Sequence, residues 1–327
     1  MTSRACLALS HQWITALGLF WRNHLAGGHM FLISTRKRNP DKTFGHERML
    51  KGDYAVYEIS KASEGKDAQQ KTLEDIPTNK DLLLLIHGFN NDFDEVTAAY
   101  LGFDRRVRAV GFNGNVIGFT WPSYGEWFQY FGDIEQVEYA SFGFLNFLLA
   151  FRPLLGEKKF HVNTHSMGAY LLVRALAAYS RINAIAEPLP GRFIVDEMTF
   201  FAADVSNEIL ERGEDGNVAV AEASRLTSYF SYKDPILGIS QVVNHDGRLG
   251  LAGAERPSRL PNNAFQIDCS TLIESHSAYR STPDVMEDLV NVLRGTASNE
   301  IDERRATGDK NTFAIGPEEE EADEHDD

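Results

Sequence analysis

The sequence predicts an α/β fold: a mostly parallel sheet with helices on both faces. Three observations carry this. LLLLI (82–86) is a continuous apolar run of the kind buried on both sides of a parallel sheet. From residue 82 onward, strand-like and helix-like segments alternate, the order that layers helices over a parallel sheet. Finally, FHVNT (160–164) is extended and β-favouring, yet passes through His165-Ser166-Met167-Gly168 straight into an Ala- and Leu-rich helix.

Taken in order, MFLIS (30–34) and YAVYEIS (54–60) read as two strands joined by a polar, turn-rich stretch, suited to extend the sheet in antiparallel fashion. After LLLLI, residues Val96, Tyr100, Phe103, Val107 and Val110 recur at spacings of three and four, which places them on one side of a helix. NVIGFTW (115–121) is the next strand and 135–151 the next helix. Its run ASFGFLNFLLAF (140–151) is the most apolar in the chain, but falls short of the ~20 residues needed to cross a bilayer and reads as a buried helix. FHVNT then leads into a helix over 167–179. EMTFFAA (197–203) is a strand followed by helical stretches near 205–211 and 216–223. RLTSYFS (225–231) and AFQID (264–268) are the last strands, and PDVMEDLVNVL (283–293) is a closing helix with Pro283 in its first turn. There is no internal repeat. Residues 61–80 and 296–327 are polar and poor in aromatics, a loop and a tail.

These segments divide the chain into an N-terminal extension (1–29), one α/β domain (30–295) and an acidic tail (296–327) expected to be disordered. The extension has Arg4 ahead of ACLAL and ITALGLFW, but Ser10, His11 and Gln12 interrupt the apolar run that a signal peptide needs. A cytoplasmic protein is therefore expected, with export the alternative. No large insertion separates the strands, so any cap over the sheet is small, at 122–135 or 236–262.

Composition excludes several classes. The 327 residues carry a net charge of −15, and PEEEEADEHDD (317–327) holds eight acidic groups; without them the charge is −7. An acidic body offers no basic face to nucleic acid phosphates. Cys6 and Cys269 are the only cysteines, and a pair so far apart reads as two thiols. No zinc-spaced Cys/His cluster, HExxH, GxxxxGK[ST] or GxGxxG occurs, so neither a metal nor a nucleotide cofactor is expected.

In open parallel sheets, chemistry collects at the carboxyl ends of the strands. What stands there is His87-Gly88-Phe89-Asn90-Asn91, then Trp121-Pro122-Ser123-Tyr124-Gly125, then Ser166, Asp204, Asp234 and His276. Each alone could be a cap or a turn. Together, IHGFNN, TWPSYG, HSMG, a strand followed by Asp and a late His, in that order, resemble the α/β-hydrolase superfamily. The combination is similar to a bacterial branch of uncharacterised esterase/lipase-like hydrolases, and the likeness covers about residues 30–295. It implies a hydrolase using Ser166, an acid and a histidine. It does not imply a substrate.

The chemistry points the same way. A serine hydroxyl needs a neighbouring base, and histidine is best matched in pKa. Of the ten histidines, His11, His24 and His29 precede the domain, His46 lies in a polar turn, His325 in the tail and His161 inside a strand. His165 adjoins Ser166 and should leave the corner in another direction, and His87 belongs to the loop expected to donate backbone N–H groups. His245 and His276 remain. His276, between the last strand and the closing helix, is preferred over His245 in its Gly-rich connection. The acid is Asp234, one strand before the histidine, where the superfamily usually puts it, or alternatively Asp204, whose sequence also fits a helix N-cap. The expected oxyanion donors are the backbone N–H groups of Phe89 and Met167. Gly88 lets the backbone approach the acyl group closely, and His87, Trp121 and Tyr124 are expected around the substrate, the aromatic stretch 119–131 being either core or pocket wall. One departure stands out: Thr164 occupies a position where a small residue is preferred, so the corner is either accommodated or displaced. The expected function is a serine hydrolase of carboxylic esters acting on a small-molecule acyl substrate through an acyl-enzyme. A thioesterase, amidase or acyltransferase, or a non-catalytic binding protein on the same fold, are the alternatives.

Overall fold

The computed structural model describes residues 29–60, 65–89, 91–123, 130–184 and 194–318. It opens with β1 (Met30–Ser34), β2 (Arg36–Arg38), β3 (Phe44–Arg48), β4 (Ala55–Ile59) and β5 (Gln69–Lys71). Then come β6 (Leu82–Ile86), α1 (Phe93–Ala109), β7 (Asn115–Thr120), α2 (Tyr130–Phe151), β8 (Phe160–His165) and α3 (Gly168–Asn183). The second half holds β9 (Val195–Phe201), α4 (Asp215–Ala221), β10 (Ala223–Phe230), α5 (Pro235–Asn244), the short α6 (Leu249–Ala252) and β11 (Ala264–Asp268). It closes with α7 (Pro283–Arg294), β12 (Arg305–Ala306) and β13 (Thr312–Ala314).

One sheet of 11 strands runs in the order β12-β13-β11-β10-β9-β8-β6-β7-β1-β4-β5, while β2 and β3 pair separately. Every pairing from β1 through β7, β6, β8, β9, β10 and β11 to β13 is parallel. Only the margins, β4 on β1, β5 on β4 and β12 on β13, are antiparallel. This is the α/β architecture expected, a mostly parallel sheet clothed by helices. The apolar run 82–86 shows why: Leu82, Leu84 and Ile86 point into the core under α2 and α3, whereas Leu83 and Leu85 point into the core under α1 and α7. A strand with both faces dry needs apolar residues at every position.

The ends of α1 and α7 show how the sequence sets helix boundaries. Asp92 accepts from Glu95 N–H while the Glu95 side chain accepts from Asp92 N–H, a capping box that starts α1. Pro283 sits in the first turn of α7, and Gly295 closes that helix at φ +87°. Among the described residues no helix is long and apolar enough to cross a membrane.

Three expectations need correction. Residues 205–211 form turns, not a helix, because Asn207 and Leu249 exchange backbone bonds with the 247–250 segment and Val205. The 61–80 loop contains the edge strand β5. Most consequentially, the chain after 295 is not all tail. Arg304 is buried in a two-point ion pair with Asp288 at 2.7 and 2.8 Å, and β13 then pairs with β11, so the sheet extends through residue 314. Cys269 is a buried free thiol; Cys6 lies outside the described residues.

Candidate active site

β8 ends at His165, and Ser166 takes φ +55°, a left-handed conformation that non-glycine residues rarely adopt. The surroundings hold it there. Ser166 N–H donates to the Phe201 carbonyl at 2.9 Å, and its own carbonyl accepts from Ala169 N–H at 3.0 Å and Asp204 N–H at 3.3 Å. Two glycines permit the turn. A Cβ on Gly168 would lie 2.6 Å from the His87 carbonyl oxygen, and one on Gly88 would lie 2.6 Å from the Ser166 Cβ. The loop after β6 therefore rests directly against the serine. Thr164 is fully buried within β8, opposite Ile86 and Phe200, and the tight helix–strand approach falls on Gly168 instead. The corner forms with threonine in place.

The acid and the histidine meet. His276 Nδ1 lies 2.8 Å from Asp234 Oδ2. A carboxylate can only accept, so Nδ1 carries the proton and Nε2 is left as the basic nitrogen. The other oxygen, Oδ1, accepts from Ile236 N–H at 3.0 Å and Leu237 N–H at 3.2 Å, capping α5. One buried carboxylate thus caps a helix and orients an imidazole, and the cap fixes the angle at which the second oxygen is presented. The loop bearing His276 is tied to the end of β10 by Ser231 Oγ, which donates to the Ile273 carbonyl at 2.8 Å, and by Cys269 N–H, which donates to the Phe230 carbonyl at 2.9 Å.

Two buried histidines brace this arrangement. His165 Nε2 donates to the His276 carbonyl at 2.7 Å, and the two rings lie 4.6 Å apart. Burial, with the nearby Arg280 cation, pushes the His165 pKa well below its ordinary value, so this ring is neutral. His87 is neutral for the same reasons, burial first and then the Arg36 charge. Its Nδ1 donates to the Gly88 carbonyl at 2.8 Å, and its Nε2 accepts from Trp121 N–H at 3.1 Å. Trp121 stacks on His87 and returns an indole N–H to the His87 carbonyl at 3.1 Å.

The structure places the predicted site residues differently from one another. Gly88 lies against Ser166, and Asp234 meets His276, whose backbone carbonyl accepts from His165, the residue before Ser166. His87 and Trp121, expected to line the pocket, lie behind the loop as its support: both are buried, they bond each other, and His87 Nδ1 holds the Gly88 carbonyl. Tyr124 lies outside the described residues. Phe89 is half-buried beside Gly88, and Met167, the N-cap of α3, is buried in the core. Asp204 accepts from Ser240 Oγ at 2.6 Å and faces Arg248 at 3.5 Å. His245 is an exposed C-cap of α5.

Two supporting residues escaped the sequence reading. Arg36 is buried and donates to Thr120 Oγ1 at 3.0 Å, to the Gly45 carbonyl at 3.2 Å and to the Asn91 carbonyl at 2.8 Å. Asn91 Nδ2 in turn donates to the carbonyls of Gly88 and Phe89, at 3.3 and 2.6 Å. The only sequence signal was Asn91 itself within IHGFNN; nothing in RKR marks Arg36 as buried. Elsewhere, Glu208, Glu211 and Glu255 converge, and Arg256 and Arg259 pair with Glu208 and Glu211 in an ion-pair network.

A family model described as "Alpha/beta hydrolase of unknown function (DUF900)" matches residues 65–292. The chain belongs to this α/β hydrolase family. No curated protein matches it. Among solved structures, the hydrolase is similar to an inhibited esterase B from Lactobacillus rhamnosis, at 11% identity and TM-score 0.40, covering 89% of this chain and 94% of that one. A putative hydrolase from Agrobacterium vitis S4 shows 12% identity and TM-score 0.39 over 74% of this chain and 94% of that one. The thioesterase RedJ from the prodiginine pathway of Streptomyces coelicolor shows 13% identity and TM-score 0.35 over 68% and 92%. With TM-scores this low, the family rests on the sequence match and on the strand order described above.

Proposed function

We propose that this α/β hydrolase cleaves carboxylic esters through an acyl-enzyme. The observation that carries the reading is the 2.8 Å bond from His276 Nδ1 to Asp234 Oδ2, made by two residues far apart in the chain and brought to the edge of the sheet that holds Ser166. Ser166 Oγ attacks the ester carbonyl carbon while its proton passes to His276 Nε2. Asp234 stabilises the resulting imidazolium. The carbonyl oxygen becomes an oxyanion and is met by the N–H groups of Phe89 and Met167, aided by the positive end of α3. The carbon–oxygen bond to the alcohol then breaks, with His276 returning the proton to that alcohol. A water molecule, deprotonated by the same nitrogen, releases the acid and restores Ser166.

A fluorophosphonate probe tests this. The native protein is expected to label at Ser166 and the Ser166→Ala variant not to label at all. Equal labelling of both, or none of the native protein, overturns the assignment. A panel of short and long acyl esters, thioesters and amides assigns the leaving group; faster turnover of thioesters moves the reading to a thioesterase on the same machinery.

A further inference from the structure

We infer that Asn91 is a positioning residue for the oxyanion site and that buried Arg36 locks it in place; the inference rests on the ester hydrolase reading above. In a planar trans peptide the C=O and N–H point in opposite directions. Whatever ties back the Gly88 carbonyl therefore sets the direction of the Phe89 N–H. Two donors tie it back, His87 Nδ1 at 2.8 Å and Asn91 Nδ2 at 3.3 Å. Asn91 Nδ2 also holds the Phe89 carbonyl at 2.6 Å. Both neighbours are carbonyl oxygens, so the NH2 end of the amide must face them, and its two protons serve two acceptors.

An amide can position a loop only if its own backbone is immobile. Asn91 N–H donates to Ser123 Oγ at 3.0 Å, and its carbonyl accepts from Arg36 Nη2 at 2.8 Å. The same guanidinium reaches Thr120 Oγ1, which lies 3.3 Å from His87 Nε2. Both arms that hold the Gly88 carbonyl, one through Asn91 and one through His87, thus begin at a single buried cation on β2. Burying a guanidinium is costly unless its donors are matched, and here three backbone or hydroxyl oxygens match them. The arrangement is more than packing of an edge hairpin requires.

The test uses the full chain and a short p-nitrophenyl ester. Asn91→Ala is expected to lower kcat about 10–100-fold with KM within about twofold, less than the full loss of an oxyanion donor because His87 still holds the loop. Affinity for a trifluoromethyl ketone, which forms a tetrahedral oxyanion on the serine, should fall in the same proportion. Should the alanine variant not fold, the isosteric Asn91→Asp, which keeps the shape and loses both donors, is read in its place. A kcat within about threefold of the native value, or a loss of kcat unaccompanied by weaker ketone binding, overturns the inference while leaving the hydrolase reading intact. A native protein that neither labels with fluorophosphonate nor turns over any ester overturns both.

Discussion

Neighbouring strands β9 and β10 each deliver an aspartate just past their ends, and the two carboxylates are put to different uses. Asp234 spends one oxygen on the first turn of α5 and the other on His276. Asp204 accepts from Ser240, farther along the same helix, and faces Arg248. Both are buried, and both follow a parallel strand at the edge where chemistry collects. One helix distinguishes them. The N-terminus of α5 orients Asp234 toward the late loop, while a buried hydroxyl of α5 turns Asp204 toward a cation. A strand-end carboxylate is therefore defined by what closes over it, not by its place in the strand order.

The sharpest way to break this comparison is to neutralise each acid in turn. Asp234→Asn is expected to lower kcat on the order of 10⁴-fold, since the imidazole loses its acceptor and its tautomer. Asp204→Asn should leave kcat within about threefold, measured on the same ester; equal losses would make Asp204 a member of the site. Its cost should appear in stability instead. Arg248 would be left in a buried position without its counter-charge, at a cost of about 3 kcal/mol in denaturant unfolding.

Histidines on β8 sharpen the lesson with smaller effects. His161, low on the strand, is buried with neither ring nitrogen hydrogen-bonded, and burial pushes its pKa down to about 3. The unfolded chain protonates it near pH 6.5 while the folded protein does not. The stability tied to it is thus complete above pH 6.5 and is lost as pH falls toward 3. His161→Leu should remove this, so that unfolding free energy drops about 2 kcal/mol less than in the native protein between pH 7 and pH 5. An unchanged pH dependence would show that His161 is protonated or partnered in the folded state. His165, at the top of the same strand, holds the His276 carbonyl. His165→Phe removes about one hydrogen bond of positioning and is expected to lower kcat about fivefold, the smallest of these effects.

Much of the site could be read from the chain because its key feature is local. Strand, serine and helix follow one another without a loop, and steric rules permit few conformations there. The core strands were legible for a similar reason: LLLLI announces two dry faces. The choice between Asp204 and Asp234 was not local, since each is followed by residues that suit a cap, and only the packing of α5 separates them. His87 and Trp121 misled in the other direction. A histidine and an indole at strand ends suggest a pocket, but both are buried, and their polar atoms bond each other and the Gly88 carbonyl. Residues after 295 were misread because β12 and β13 are only two and three residues long, too short to show an alternating pattern. Backbone bonding to β11 and the buried Arg304–Asp288 pair hold them, and neither leaves a periodic pattern.

The sequence by itself determined the class of fold, the succession of its core strands along the chain and the corner at Ser166, because hydrophobic period and backbone sterics act over a few residues at a time. Only the tertiary structure decided which acid faces the imidazole, and that a charge within RKR lies buried behind the loop beside the serine. Those outcomes depend on distances between segments tens of residues apart, set by how the helices settle on the sheet.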